Sequence, residues 1–153
     1  MALSPASRRD FGLSLLRLSR RWRHAVDVGM KQYGLTAATW RPLYHLGRLG
    51  DGVRLKDLAE ALDMERPSLG QLVDRLEREG MVERRGAPDD RRGKTLHLTK
   101  VGWGVYERVA ELGNTVAQRL TGAVSDEELA LCLSVFERIR VAAEAQPPDE
   151  GTP

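Results

Sequence analysis

The sequence contains a single cysteine, Cys132, and three histidines that lie far apart along the chain. One cysteine excludes an intrachain disulfide, and no histidine has a cysteine or a paired carboxylate at a metal-ligand spacing. The sequence also lacks a catalytic set of nucleophile, base and acid, and it lacks a phosphate-binding glycine loop. We therefore expect no metal site, no cofactor and no enzymatic activity.

Long apolar runs are also missing, since no stretch approaches the ~20 residues that a transmembrane helix needs. The first five residues lack the apolar segment of a secretory signal. These absences favour a cytoplasmic protein without a membrane partner. A chain of 153 residues has the usual size of one domain with a hydrophobic core.

The sequence has little excess charge, because its formal net charge is only +2. The charges are nevertheless segregated. Residues 8–31 carry seven basic and two acidic side chains, a net +5, and residues 84–94 carry five basic and two acidic ones, a net +3. Residues 126–150 carry two basic and seven acidic side chains, a net −5. Local positive fields attract phosphates, so the basic segments are candidate nucleic-acid surfaces; the alternative is solvated helix faces.

Apolar residues recurring every three or four positions predict six helices. They cover residues 8–33, a segment after Thr36, residues 55–62, 66–79 and 100–120, and a segment after Ser125. We expect Gly34 to end the first helix in a left-handed conformation and Thr36 to cap the second. Pro42 leaves the boundary of the second helix open. Ser125 and Glu128 form a predicted capping box.

The central part of the chain, residues 35–99, has the order of a winged helix-turn-helix. A short helix, a turn at residues 63–65 and a second helix precede a two-stranded hairpin at residues 81–85 and 95–98. Gly86, Pro88 and Gly93 are typical of the turn between the strands. The predicted fold is mainly α with a small β-hairpin wing, in which one helix enters the major groove.

The predicted helices at the two ends of the chain carry apolar stripes without an internal partner of their own. Residues 1–34 and 100–145 are therefore predicted to form a helical dimerisation region. Cys132 falls in the last stripe, so we expect it to be buried and structural. Residues 146–153 are rich in proline and acidic residues and are predicted to be a disordered tail.

The second helix of the predicted motif offers several polar side chains to DNA. Opposite its apolar stripe lie the candidate base-contacting residues Arg66, Ser68, Gln71 and Arg75. Arginine can bind guanine, and glutamine adenine, through two hydrogen bonds. Gly70 would allow a close approach of the helix backbone to the groove. The carboxylates of the second half favour base contacts from the first half.

The wing offers Asp90, Arg91, Arg92 and Lys94. Asp90 and Arg92 are two positions apart, so on an extended chain their side chains lie on the same side. The carboxylate of Asp90 can then position the guanidinium of Arg92 for insertion into the minor groove. Arg91 and Lys94 would bind phosphates.

A ligand pocket is a further hypothesis. Trp40 and Tyr44 share a face of the second helix, and Arg17 lies on the first; aromatic walls with a guanidinium suit a planar carboxylate. The candidate effector residues are Arg17, Trp22, Thr36, Trp40 and Tyr44. The alternative is that Trp40 belongs to the core and the arginine to the surface.

Several fragments together resemble the MarR/SlyA family of transcriptional regulators. They are residues 35–36 with Trp40, residues 58–62 and 65–69, residues 76–82, and residues 89–92 followed by 96–99 and Gly102. The combination of Trp22, Asp27 and Trp40 resembles the SlyA branch of this family more than the rest. Gln71 departs from the basic residue that SlyA-like proteins often carry there, so the target sequence does not transfer.

The resemblance implies a homodimer that binds double-stranded DNA at a pseudo-palindromic operator. It also implies repression of nearby genes and release by a small aromatic acid or another anion. The family motif gives Asp90 and Arg92 the wing role, and Ser68 with its neighbours the reading of bases. The alternative is a winged-helix module that binds protein without sequence-specific DNA binding; the basic wing argues against it.

Overall fold

A computed structural model describes residues 4–50, 52–87 and 90–145, with the backbone alone at positions 5, 87 and 90–92. Within these residues the chain forms six helices and three strands. In chain order they are α1 (Pro5–Lys31), α2 (Ala37–Leu49), β1 (Val53–Arg54), α3 (Leu55–Leu62), α4 (Arg66–Arg78), β2 (Val82–Ala87), β3 (Asp90–Leu98), α5 (Lys100–Thr121) and α6 (Asp126–Glu144). None of these helices is both long and apolar enough to cross a membrane.

The chain divides into two compact units, residues 1–116 and 117–153, and the division falls inside α5. The first unit holds the sheet, α1 to α4 and most of α5. The second unit holds the end of α5 and α6. Residues 146–153, the predicted tail, lie outside the described residues.

The larger core of the first unit lies between α2, α3, α4 and the sheet. Its most deeply buried side chains are Leu43, Leu46, Leu58, Leu69, Val73, Leu76 and Leu96. On each helix these residues recur at three- or four-residue spacing, so one face is buried and the other is left to solvent. This packing fixes which face of α4 points outward.

A second core in the same unit joins α1, α2 and α5 through Val26, Met30, Trp40, Val109 and Val116. Only the C-terminal half of α1 takes part. Earlier along the predicted stripe of α1, Phe11 is 46% and Leu18 54% exposed. The first half of α1 therefore keeps an uncovered apolar face in the single chain.

The sheet is antiparallel, with strand order β1-β3-β2. The sequence predicted only the hairpin; β1 is an additional strand, and its Val53 pairs with Leu96 of β3. The hairpin strands are also longer than predicted, because Gly86 lies within β2 and Gly93 within β3. The register shifts between Gly86 and Ala87, so the strand ends are irregular.

Local interactions explain the helix ends. The hydroxyl of Ser4 accepts a hydrogen bond from the Ser7 N–H at 3.2 Å, so α1 begins three residues before the predicted start. Gly34 has φ +70°, as predicted for a residue that ends a helix. Thr36 is the N-cap residue of α2, as predicted, but the expected side-chain bond is absent: its hydroxyl makes no cap bond and lies 3.3 Å from the Thr39 hydroxyl instead. Helix α2 begins at Ala37 and continues through Pro42.

Helix α6 confirms one prediction and corrects another. The capping box is present, since Glu128 N–H donates to Ser125 Oγ at 3.3 Å and Ser125 N–H donates to Glu128 Oε2 at 2.9 Å. The predicted burial of Cys132 is wrong for the single chain, in which Cys132 is exposed. Leu133 is 68% exposed, and α6 has no buried residue. Among the described residues of its unit, most of the large apolar side chains of α6 are therefore left exposed.

Candidate nucleic-acid interface

The helix-turn-helix is formed by α3 and α4 with the predicted turn at residues 63–65. Asp63 ends α3 in the left-handed region at φ 51°, where aspartate is tolerated better than most residues. The N–H of Met64 donates to the carbonyl of Ala59 at 2.9 Å, which closes the turn. Pro67, at the start of α4, lacks only a donor that a helix leaves unused at this end.

The outward face of α4 carries three of the four predicted base-contacting residues. Arg66, Ser68 and Gln71 are exposed, whereas Leu69 and Val73 are buried on the opposite face. The structure therefore places these polar side chains as the sequence predicted. A Cβ built at Gly70 would meet no atom within 4 Å, so packing inside the chain gives no reason for glycine there.

Arg75, the fourth of these residues, is directed toward α2. Its Nη2 donates to Thr39 Oγ1 at 3.4 Å, and its Nε lies 3.6 Å from Glu79 Oε1. The Nε is shielded from solvent and has no hydrogen-bond partner among the residues that the structure describes. In this conformation Arg75 connects α4 to the first turn of α2, and it would have to leave Thr39 to reach a base.

Arg84, in β2, holds two carboxylates of α4. Its Nη2 donates to Asp74 Oδ1 at 2.6 Å and its Nη1 donates to Glu77 Oε2. The backbone N–H of Arg84 also donates to Glu77 Oε1 at 3.1 Å. Partial burial acts to lower the pKa of Arg84, but the bonds to Asp74 and Glu77 outweigh it and raise that pKa. These contacts attach the base of the wing to α4, the second helix of the helix-turn-helix, which is called the recognition helix below.

Sequence reasoning missed this cluster. It treated Asp74 and Glu77 as charges that disfavour base contacts from the second half of the helix, and Arg84 as part of the basic hairpin. Residues three apart on a helix are neighbours, so the two carboxylates share one side of α4. Their common spacing was a usable signal, and the strand that carries Arg84 was predicted, but only the fold shows that this strand packs against that side of α4.

The wing is described in part. Lys94 is exposed and pairs with Gly86 across the hairpin. The backbone of Asp90, Arg91 and Arg92 begins β3, while their side chains lie outside the described part of the structure. Their predicted DNA contacts therefore stay a prediction.

Buried polar contacts hold the base of the wing. Thr95 and His97 are both buried, and Thr95 Oγ1 lies 2.9 Å from His97 Nε2. Directly after β3, the hydroxyl of Thr99 donates to the Gly80 carbonyl at 2.6 Å and accepts from the Gly102 N–H at 3.2 Å. Thr99 thus caps α5 and ties it to the residues that follow α4.

The structure brings together some of the predicted effector residues. Trp40 is buried, as the core alternative predicted, and its Nε1 donates to Asp27 Oδ1 at 2.9 Å. Trp22 and Tyr44 pack partly buried against the same cluster. The ring of Tyr44 is stacked on Tyr106 with centroids 5.7 Å apart.

Of the remaining candidate effector residues, Thr36 joins the cluster only through its backbone, since its carbonyl accepts a hydrogen bond from the Trp40 N–H at 3.0 Å. Arg17 is exposed on α1. An open cavity of about 620 Å³ lies instead along α3 and the start of α4, lined by Lys56, Glu60, Met64 and Arg66 among others. The described residues contain no cluster of His, Cys, Asp or Glu that could hold a metal ion.

One titratable group on α2 has a perturbed pKa. Burial, followed by the nearby positive charges of Arg41 and Arg48, lowers the pKa of His45 from its usual 6.5. Burial and the two neighbouring cations therefore disfavour the protonated form of this imidazole.

Comparison with known proteins identifies the family. Residues 33–93 match the model of the MarR family, a segment that includes the helix-turn-helix and most of the wing. The solved structure of the transcriptional regulator PA3341 is 32% identical, covers 89% of this chain and 99% of its own, and has a TM-score of 0.83. The chain belongs to the MarR family. This MarR-family protein is therefore a DNA-binding transcriptional regulator, and the predicted family and fold are confirmed.

Two structures of DNA complexes are also similar to this MarR-family chain. A MarR mutant from E. coli complexed with operator DNA is 24% identical, covers 85% of this chain and 93% of its own, and has a TM-score of 0.73. The S. aureus MepR–DNA complex is 22% identical, with coverages of 86% and 97% and a TM-score of 0.72. At these identities the likeness establishes the shared fold.

Proposed function

We propose that this MarR-family protein is a cytoplasmic homodimer that represses genes by binding a pseudo-palindromic operator. Residues 35–99 form the DNA-binding region, and residues 1–34 and 100–145 form the dimerisation region. The observation that carries the proposal is the outward face of α4, where Arg66, Ser68 and Gln71 are exposed beside a basic hairpin. A helix with such donors can read base edges while the wing binds the backbone or the minor groove.

Uncovered apolar surface in each compact unit supports the homodimer. The first half of α1 exposes Phe11 and Leu18, and α6 exposes Leu133 and Phe136. Contiguous exposed apolar surface of this kind is typical of protein interfaces. A two-fold dimer would present two copies of α4 to half-sites about 10 base pairs apart.

The DNA-binding proposal is tested with genomic fragments. Duplexes recovered by the purified protein are titrated at rising salt, and affinity should fall steeply because phosphate contacts release counterions. Arg92→Ala should lower affinity strongly and reduce the salt slope by about 1, while the protein stays folded and dimeric. Arg138→Ala, on α6 outside residues 35–99, is the matched control; once ultracentrifugation shows that it is dimeric, it should bind as the parent does. A monomeric protein that ignores duplex DNA would refute the proposal, and a protein-interaction module would then be favoured.

Release by a small aromatic or anionic effector is supported by the aromatic cluster around Trp40. Trp22 and Tyr44 pack beside it, and planar carboxylates stack well on such side chains. We expect salicylate to weaken operator binding, and Arg17→Ala to reduce that effect while leaving binding without salicylate unchanged. Affinity that stays constant across a panel of aromatic acids would refute this part of the proposal.

A further inference from the structure

The second half of α4, the proposed recognition helix, carries two partly exposed carboxylates next to the proposed DNA-facing side. Asp74 and Glu77 have side chains that are 59% and 38% exposed. Duplex DNA carries one phosphate charge per ~1.7 Å of its axis, so uncompensated carboxylates on a helix in the groove would repel it. A cation beside these two carboxylates would reduce that repulsion.

Arg84 meets both carboxylates at once. Its two terminal nitrogens donate to different acidic residues, to Asp74 at 2.6 Å and to Glu77 on the other side. The planar guanidinium fork suits such paired contacts better than an ammonium group does. Only 21% of the Arg84 side chain is exposed, and both terminal nitrogens are already engaged, so little of the side chain is available to phosphates.

We propose that Arg84 is the internal counterion of the recognition helix, offsetting half of the negative charge of Asp74 and Glu77 so that α4 can approach the phosphates. It acts through these two residues and is a positioning residue rather than a DNA contact. The inference rests on the proposed DNA binding and assigns the role of one strand residue within it.

The test compares Arg84→Gln with a variant in which the carboxylates are neutralised as well. Arg84→Gln should weaken binding to every duplex about tenfold or more, because two uncovered carboxylates then face DNA. Adding Asp74→Asn and Glu77→Gln to it should restore affinity to within about threefold of the parent, since no charge remains to be masked. Arg84→Lys, which keeps the charge, should bind nearly as the parent does.

A matched control lies on α6. Arg140 is held between Glu137 and Glu144 in the same arrangement of one guanidinium and two carboxylates. Arg140→Gln changes the net charge by the same amount and lies outside residues 35–99, the proposed DNA-binding region. Because it lies in the proposed dimerisation region, ultracentrifugation first verifies that the variant is dimeric like the parent. We expect its DNA affinity to be unchanged, and a loss equal to that of Arg84→Gln would overturn the inference by showing an effect of total charge.

The outcomes separate this inference from the proposed function. If the parent protein does not bind duplex DNA, the proposed function fails. If the parent binds and the triple variant stays as weak as Arg84→Gln, Arg84 contacts DNA or shapes the wing directly, and the counterion role fails. Circular dichroism and thermal unfolding accompany each titration; should Arg84→Gln not fold, the triple variant and Arg84→Lys decide the question, because only a counterion role lets both bind.

Discussion

Replacing Gly70 with alanine separates the stability of the recognition helix from its fit to DNA. Gly70 lies inside α4, and a Cβ there meets no atom within 4 Å. Alanine restricts the unfolded backbone without creating a clash, so the free energy of unfolding should rise by roughly 0.5–1 kcal/mol. For a chain of this size the melting temperature should then rise by about 1–4 °C.

The expected effect of Gly70→Ala on DNA binding is the opposite. A methyl group at a point of close approach moves the helix away from the groove and weakens the neighbouring contact from Gln71. Loss of one bidentate base contact costs about 1–3 kcal/mol, or roughly 5- to 150-fold in Kd. The variant should therefore be more stable and bind more weakly.

Calorimetry and fluorescence anisotropy measure the two effects on one preparation. Gly104→Ala is the matched control, because Gly104 lies inside α5 and a Cβ there also meets no atom within 4 Å. It should gain similar stability and keep full affinity, with the oligomeric state of both variants checked by ultracentrifugation. A Gly70→Ala protein that is stabilised and binds DNA like the parent would refute the close approach.

Three further predictions concern stability. In Gly102→Ala the new methyl would overlap a backbone carbonyl oxygen, so urea unfolding should show a loss of about 1–3 kcal/mol; an unchanged midpoint would contradict this packing. Ser125→Ala removes the side-chain cap of α6 and should lower the free energy of unfolding by about 1 kcal/mol in thermal unfolding. An unchanged melting temperature would contradict the cap. Burial, Arg41 and Arg48 lower the pKa of His45, so the stability it contributes is present above pH 6.5 and is lost as the pH falls through the lowered value. Melting temperatures of His45→Gln should therefore decline less between pH 6.5 and ~5 than those of the parent, and identical profiles would show that His45 is not responsible.

The sequence predicted the helices because each buries one face, which leaves a periodic record along the chain. The helix-turn-helix and the outward position of Arg66, Ser68 and Gln71 follow from that record alone. A two-residue strand such as β1 leaves no periodic record, so it was missed. The longer hairpin strands were missed because Gly86 and Gly93 are more typical of turns.

Periodicity also leaves open what covers a face. The periodic pattern identified the apolar side of α6, but it did not predict that this side is exposed in the single chain. Burial depends on which element packs against a helix, and the pattern of one helix does not contain that information. The contacts of Arg84 and Arg75 were missed for a related reason: each joins side chains from two elements, and only the fold determines which elements meet. Thr36 shows the same limit at short range, where a second hydroxyl at Thr39 replaced the expected cap bond.

Two glycines on neighbouring helices have a consequence for how this sequence can evolve. A Cβ at Gly29 would lie 2.5 Å from the Leu112 side chain, and one at Gly47 would overlap the ring of Tyr106. Each glycine is thus a notch that accepts a bulky residue of α5. Homologues that lose the notch should carry a smaller partner at the facing position, so these two pairs are expected to covary.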